Sequence, residues 1–125
     1  MQRVDALSPE ALKSQVKAVR SDLPVAAIKS GMLLNAALIE ATAEVLKDWR
    51  VPRVIDPVMV SRSGAVLLES DAIEALRREL LPLADVLTPN LHEAAHMAGY
   101  PLRDGLTDSA RNGLSGFQFW RASHV

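Results

Sequence analysis

The chain predicts an α/β fold, a partial parallel sheet with flanking helices, on three observations. Short apolar, β-branched runs at 25–29, 53–55 and 84–88 recur about every 30 residues, the length of a βαβ unit. The stretches between them carry apolar residues at helical spacing. Gly31, Pro57 and Pro89 stop the three runs, and proline has no N–H to extend a sheet ladder. Strands alternating with helices imply a parallel sheet, covering helices and right-handed crossovers.

Ser8-Pro9-Glu10 opens the first helix: serine at the N-cap, proline at the first helical position, an acid in the first turn. Leu12, Val16 and Val19 form its apolar stripe, Lys13, Lys17 and Arg20 its polar side, and Pro24 ends it. Val25 to Lys29 is the first strand. Gly31 breaks the pattern and Asn35 caps a second helix carrying Leu38, Ile39, Ala43 and Leu46. The second strand, Arg53 to Ile55, lies between two prolines. Ser70 or Asp71 caps a third helix with Ile73, Leu76, Leu80 and Leu81 on its apolar side, and Pro82 lies at its end. Ala84 to Thr88 is the third strand. Asn90 caps a short fourth helix that runs through Met97 and closes at Gly99.

At 125 residues, 49% hydrophobic and 23% charged, the chain has the makeup of one soluble globular domain. A net charge of -1 gives no electrostatic case for nucleic acid or an anionic membrane. The absence of cysteine excludes disulfides and thiolate chemistry. With no apolar leader and no membrane-length apolar run, the expected location is cytoplasmic. After Gly99 the composition changes: Tyr100, Phe117, Phe119 and Trp120 are four of the five aromatics, and no amphipathic period persists. Residues 103–125 are therefore expected to form a divergent, poorly ordered tail.

All three strands end in residues suited to a site, and in a parallel sheet those ends share the edge where ligands bind. Asp56 stands where the second strand runs out; the plainer alternative is that it caps a turn before Pro57. Asn90 and Glu93 lie three apart at a helix start and share a face. Opposite Asp56 they would form an oxygen-rich set suited to Mg²⁺. The competing account is a capping arrangement that binds nothing.

His92-Glu93-Ala94-Ala95-His96 also matches H-E-x-x-H, the zinc-hydrolase pattern. The third ligand of its longer form would fall on Leu102, and two histidines do not complete such a site. A surface histidine pair is the simpler account.

Three segments taken together carry a resemblance: Ser30 to Leu33, Val54 to Gly64, and Leu80 to Ala94. In this order and spacing they closely resemble the hydroxymethylpyrimidine and phosphomethylpyrimidine kinases of thiamine biosynthesis, in the ribokinase-like superfamily. The resemblance covers residues 1–102. Pyridoxal kinases share the Asp56 to Met59 and Thr88 to Glu93 stretches and are the nearest rival.

The resemblance implies a Rossmann-like fold and ATP-dependent phosphorylation of hydroxymethylpyrimidine and its monophosphate, with ATP and Mg²⁺ as cofactors and a homodimer as partner state. It places Asp56 beside Mg²⁺ and the nucleotide phosphates, and makes Asn90 and Glu93 organisers of the metal and its water shell. It puts Met32 and Val58 in the pyrimidine pocket. Arg62, Ser63 and Gly64 fall in the family's mobile active-site loop, where Lys is common in place of Arg62; a planar fork and a point charge contact phosphate differently.

Two family features are missing: the opening strand with its Gly-rich segment, and the Gly-Thr-Gly-Cys segment that supplies the anion hole and the residue activating the substrate hydroxyl. No residue of this chain is therefore assigned as catalytic. The expectation is the middle of a kinase from a truncated or frameshifted gene, inactive alone. The alternatives are a non-catalytic remnant or binding module, or a piece of a pyridoxal kinase-like protein.

Overall fold

The computed structural model describes residues 5–59 and 68–98. The loop residues Arg62, Ser63 and Gly64, the Gly99 cap and the 103–125 tail lie outside them. The described elements run α1 (Pro9–Asp22), β1 (Ile28–Ser30), α2 (Ala36–Leu46), β2 (Arg53–Ile55), α3 (Ser70–Ala75), β3 (Val86–Leu87) and α4 (Leu91–Ala98). The strands form one sheet in the order β1-β2-β3, all parallel. Ser30 pairs with Ile55, and Ile55 with Leu87. The expected α/β architecture is present among the described residues.

Caps set the first two helices. Ser8 Oγ accepts from the Ala11 N–H at 3.1 Å, and Asn35 Oδ1 from the Leu38 N–H at 2.9 Å, each answering an N–H that the first turn leaves unpaired. The third helix departs from expectation. Its N-cap is Glu69, which makes no side-chain cap bond, rather than Ser70 or Asp71; Asp71 Oδ1 instead accepts from the Ala72 N–H at 2.8 Å. Nor does the helix run unbroken to Leu81. It widens into a π turn at Leu76–Leu80, then tightens into a 3₁₀ turn at Leu81–Leu83. Pro82 is the reason, since it cannot donate to a carbonyl one α-turn back and its ring crowds that carbonyl.

The first strand begins at Ile28, not Val25. Pairing needs a neighbour, and β2 begins only at Arg53, opposite Ile28. The third is trimmed to Val86–Leu87, although the Asp85 N–H to Arg53 O and Thr88 N–H to Ile55 O bonds (2.9 and 3.1 Å) carry the ladder past both ends.

The core fills the space between the sheet and one helical layer. Ile39, Ala43 and Leu46 of α2 meet Ala72, Ala75 and Leu80 over Ile55 and Leu87. Contact of α2 with α3 and its π turn puts both crossover helices on one face, as two right-handed crossovers between successive neighbours require. Leu80, Ile55 and Leu87 are fully buried, each worth about 1.5–3 kcal/mol of transfer free energy.

The α1 helix is an outer layer with no buried residue, and Val19 of its expected stripe is 46% exposed. It lies on α2 with Lys13–Glu44 and Arg20–Asp48 ion pairs at 2.7 and 3.0 Å, and Arg20 stacks over Trp49 at 5.1 Å from the ring centre. Such exposed pairs are screened by solvent, so they orient α1 more than they stabilise it.

Candidate functional site

The strands deliver three residues to one edge. Register puts Ser30 beside Ile55, and the next amide, Asp56 N–H, donates to Ser30 O at 3.2 Å. On the other side Thr88 N–H donates to Ile55 O. Asp56 is thus centred between the carboxyl ends of β1 and β3. Pro57, itself buried, ends the strand and the backbone turns back, with Val58 N–H on Asp56 O at 2.9 Å.

The Asp56 carboxyl is half-buried and accepts no hydrogen bond among the described residues. It therefore does not cap the turn before Pro57 with its side chain. Burial holds its pKa above the ordinary 3.8, the negative charge of Glu93 adds to the rise, and Lys29 opposes it.

Glu93 and Asn90 form a reciprocal box at the start of α4. Asn90 Oδ1 accepts from the Glu93 N–H at 2.8 Å, and Glu93 Oε1 from the Asn90 N–H at 2.9 Å. Glu93 Oε2 accepts from the Met59 N–H at 3.0 Å. The capping arrangement is therefore real, and Glu93, only 3% exposed, also ties the segment after β2 to α4. A carboxylate can be buried this way because each oxygen is met by a backbone donor.

Whether these residues suit a hard cation can be judged from their charge. Burial, and after it the negative charge of Glu93, hinder ionisation of Asp56, so a cation beside its carboxyl would favour the charged form. Mg²⁺ characteristically takes one or two carboxylates and completes its shell with water and phosphate oxygens. The donor set fits. It does not fit zinc hydrolysis: Glu93 is turned into the fold, and no group of three or more His, Cys, Asp or Glu side chains able to hold a metal exists among the described residues.

Of the two residues expected to line a substrate pocket, Val58 is half-buried two residues beyond Asp56, and Met32 lies in the loop after β1. Met32, 46% exposed, borders an apolar cavity of about 270 Å³ with Leu7, Leu12, Leu33, Leu34 and Leu38, and Val58 is not among its walls. The loop carrying Met32 is tightly wound. Leu34 has φ 70°, a left-handed conformation uncommon for leucine, and Asn35 N–H donates to Leu33 O at 2.8 Å.

Two further groups belong to this edge. The buried hydroxyls Ser30 Oγ and Thr88 Oγ1 have no hydrogen-bond partner among the described residues. Their place at the strand ends was legible in the sequence; their lack of a partner was not, since it depends on what packs around them.

The sequence profile of the phosphomethylpyrimidine kinase family matches residues 1–114. The hydroxymethylpyrimidine/phosphomethylpyrimidine kinase of Synechococcus elongatus is 54% identical over 102 residues, 82% of this chain and 39% of that protein. Among solved structures, the phosphomethylpyrimidine kinase of Clostridium difficile superposes with a TM-score of 0.76 at 33% identity, covering 92% of this chain and 51% of that one. The pyridoxal kinase of Staphylococcus aureus in complex with AMP-PCP superposes at 0.68 with 31% identity, covering 89% and 39%. The chain spans about two fifths of the length of the curated relatives it matches. With the family profile matched over most of its length and the shared fold described above, the chain belongs to the phosphomethylpyrimidine kinase family.

Proposed function

We propose that this chain forms the metal and phosphate side of an ATP-dependent kinase that phosphorylates hydroxymethylpyrimidine and its monophosphate. The observation that carries this reading is Asp56. It is a half-buried carboxyl with no hydrogen bond among the described residues, at the carboxyl edge of the sheet and within the field of Glu93. A side chain that only served the fold would be expected to have its partner.

In this reading Asp56 faces Mg²⁺, and Glu93, with each oxygen already accepting a backbone N–H, acts on the metal through its water shell. Asn90 fixes the Glu93 carboxylate by the reciprocal bonds of the helix start. Bound Mg²⁺ would neutralise charge developing on the phosphate oxygens. Met32 supplies apolar surface for the substrate ring, and Val58 follows Asp56 directly toward the same edge. The higher identity to hydroxymethylpyrimidine kinases supports the pyrimidine over pyridoxal as substrate.

The test is a chimera in which residues 5–98 replace the matching segment of the Synechococcus kinase. ATP-dependent phosphorylation of hydroxymethylpyrimidine is expected, with Asp56→Ala lowering kcat about 10²-fold or more. A folded chimera that prefers pyridoxal, or that is indifferent to Asp56→Ala, overturns the proposal.

A further inference from the structure

The H-E-x-x-H sequence is divided between two tasks in this fold. Its glutamate is used by the protein interior, where Glu93 is 3% exposed and holds the Met59 and Asn90 amides. Its histidines are left over. His96 is exposed and His92 half-buried on α4, and no hydrogen bond or ion pair to another described residue occupies either ring. Four residues advance an α-helix by about 40° beyond one full turn, which brings the two Cβ atoms to about 5–6 Å on one face. Neutral imidazoles so placed can meet one metal ion, each at a bond length of about 2.0–2.1 Å.

We propose that His92 and His96 chelate a borderline divalent transition-metal ion at the surface of α4, a site separate from that of Mg²⁺. Imidazole nitrogen favours Cu²⁺, Ni²⁺ and Zn²⁺, whereas Mg²⁺ prefers oxygen, so the two sites differ in chemistry although they share a helix. Two protein ligands leave the remaining positions to water. Among the described residues neither ring has a carboxylate partner to fix its tautomer and strengthen it as a ligand, so the ion exchanges readily. The affinity order follows the divalent series, Cu²⁺ above Ni²⁺ and Zn²⁺. Hydrolytic chemistry does not follow, because Glu93 cannot reach outward to activate a metal-bound water while it holds two backbone amides.

The chain has three histidines, which makes the test direct. The 1–125 chain is titrated with CuCl₂ and NiCl₂ by calorimetry near pH 7.5, with MgCl₂ present in excess. One equivalent is expected, undisturbed by Mg²⁺, at least about tenfold weaker in both His92→Ala and His96→Ala, and unchanged in His124→Ala. Far-UV circular dichroism verifies folding, and His92→Gln repeats the test at the half-buried position. Binding that survives His96→Ala in a folded chain, depends on His124, or is displaced by Mg²⁺ overturns the proposal.

Discussion

Glu93 accepts the backbone N–H of Met59 across 34 residues of chain, at 3.0 Å. This one bond fixes the segment leaving β2 against the helix that follows β3, and so sets the mouth of the sheet edge where Asp56 stands. Met59 is itself fully buried, so its amide has no access to water as a substitute partner.

Replacing Glu93 should therefore destabilise the fold before it affects any ligand. In Glu93→Gln one oxygen becomes an NH₂, which faces a backbone donor instead of accepting from it. The expected loss is about 1.5–3 kcal/mol, the usual scale for a hydrogen bond to a charged group. Urea unfolding would register it, and an unchanged midpoint would mean that Met59 has another acceptor.

Asp56→Asn should have the opposite sign at neutral pH. The folded state holds the Asp56 pKa above its ordinary 3.8, so the fold favours the protonated acid. The stability associated with that proton is fully present below about pH 4 and is lost as pH rises through the raised folded value. The melting-temperature difference between Asp56→Asn and the parent should be small at pH 3.5 and favour the variant by a few degrees at pH 7. Millimolar Mg²⁺ with ATP should narrow the gap by stabilising only the parent. A difference independent of pH would refute the assignment.

Arg53 works at the opposite end of the strands. Its guanidinium donates from Nε and Nη2 to Trp49 O (3.2 and 2.7 Å) and from Nη1 to Leu83 O (3.3 Å). It thereby joins the end of α2 to the 3₁₀ turn before β3. Lysine has a point charge rather than a fork and cannot serve both carbonyls in this geometry. Arg53→Lys should cost about 1–2 kcal/mol and Arg53→Ala somewhat more, read from chemical unfolding.

Ser30→Ala should be neutral or stabilising by up to about 1 kcal/mol, because the hydroxyl it removes is buried without a partner among the described residues. Leu80→Ala, by contrast, should cost about 2–5 kcal/mol, since its side chain is fully enclosed between helix and sheet. Measured together by thermal melts, the two separate a buried hydroxyl with no protein partner from a side chain held by packing. A loss at Ser30 as large as that at Leu80 would show the hydroxyl to be structural.

The isolated 1–125 chain should show no turnover of hydroxymethylpyrimidine above an Asp56→Ala control. In the role proposed for them Asp56, Asn90 and Glu93 would address only the metal, whereas phosphoryl transfer also needs donors around the transferred group and a residue to orient the hydroxyl. ATP-dependent formation of the monophosphate by purified chain would contradict this.

The sequence by itself determined the element order, the parallel arrangement, the caps at Ser8 and Asn35, and the gathering of strand ends on one edge. These follow from short-range rules: periodicity, proline's missing donor, and side chains that answer the free amides of a first turn. Strand limits were less legible, because Val25 to Ala27 look like strand until the opposite chain proves to start at Arg53. The break of α3 into π and 3₁₀ turns was signalled by Pro82, but its extent depended on how Leu76, Leu80 and Leu81 are buried. At the site the sequence supplied Asp56, Asn90 and Glu93 as candidates and left open whether the last two cap or bind. Only the tertiary structure could show that Glu93 reaches Met59, that Asp56's own burial and the charge of Glu93 raise its pKa, and that Ser30 and Thr88 carry buried hydroxyls unpaired among the described residues. Burial and the field of a distant charge are properties of chain segments brought together, and no local pattern encodes them.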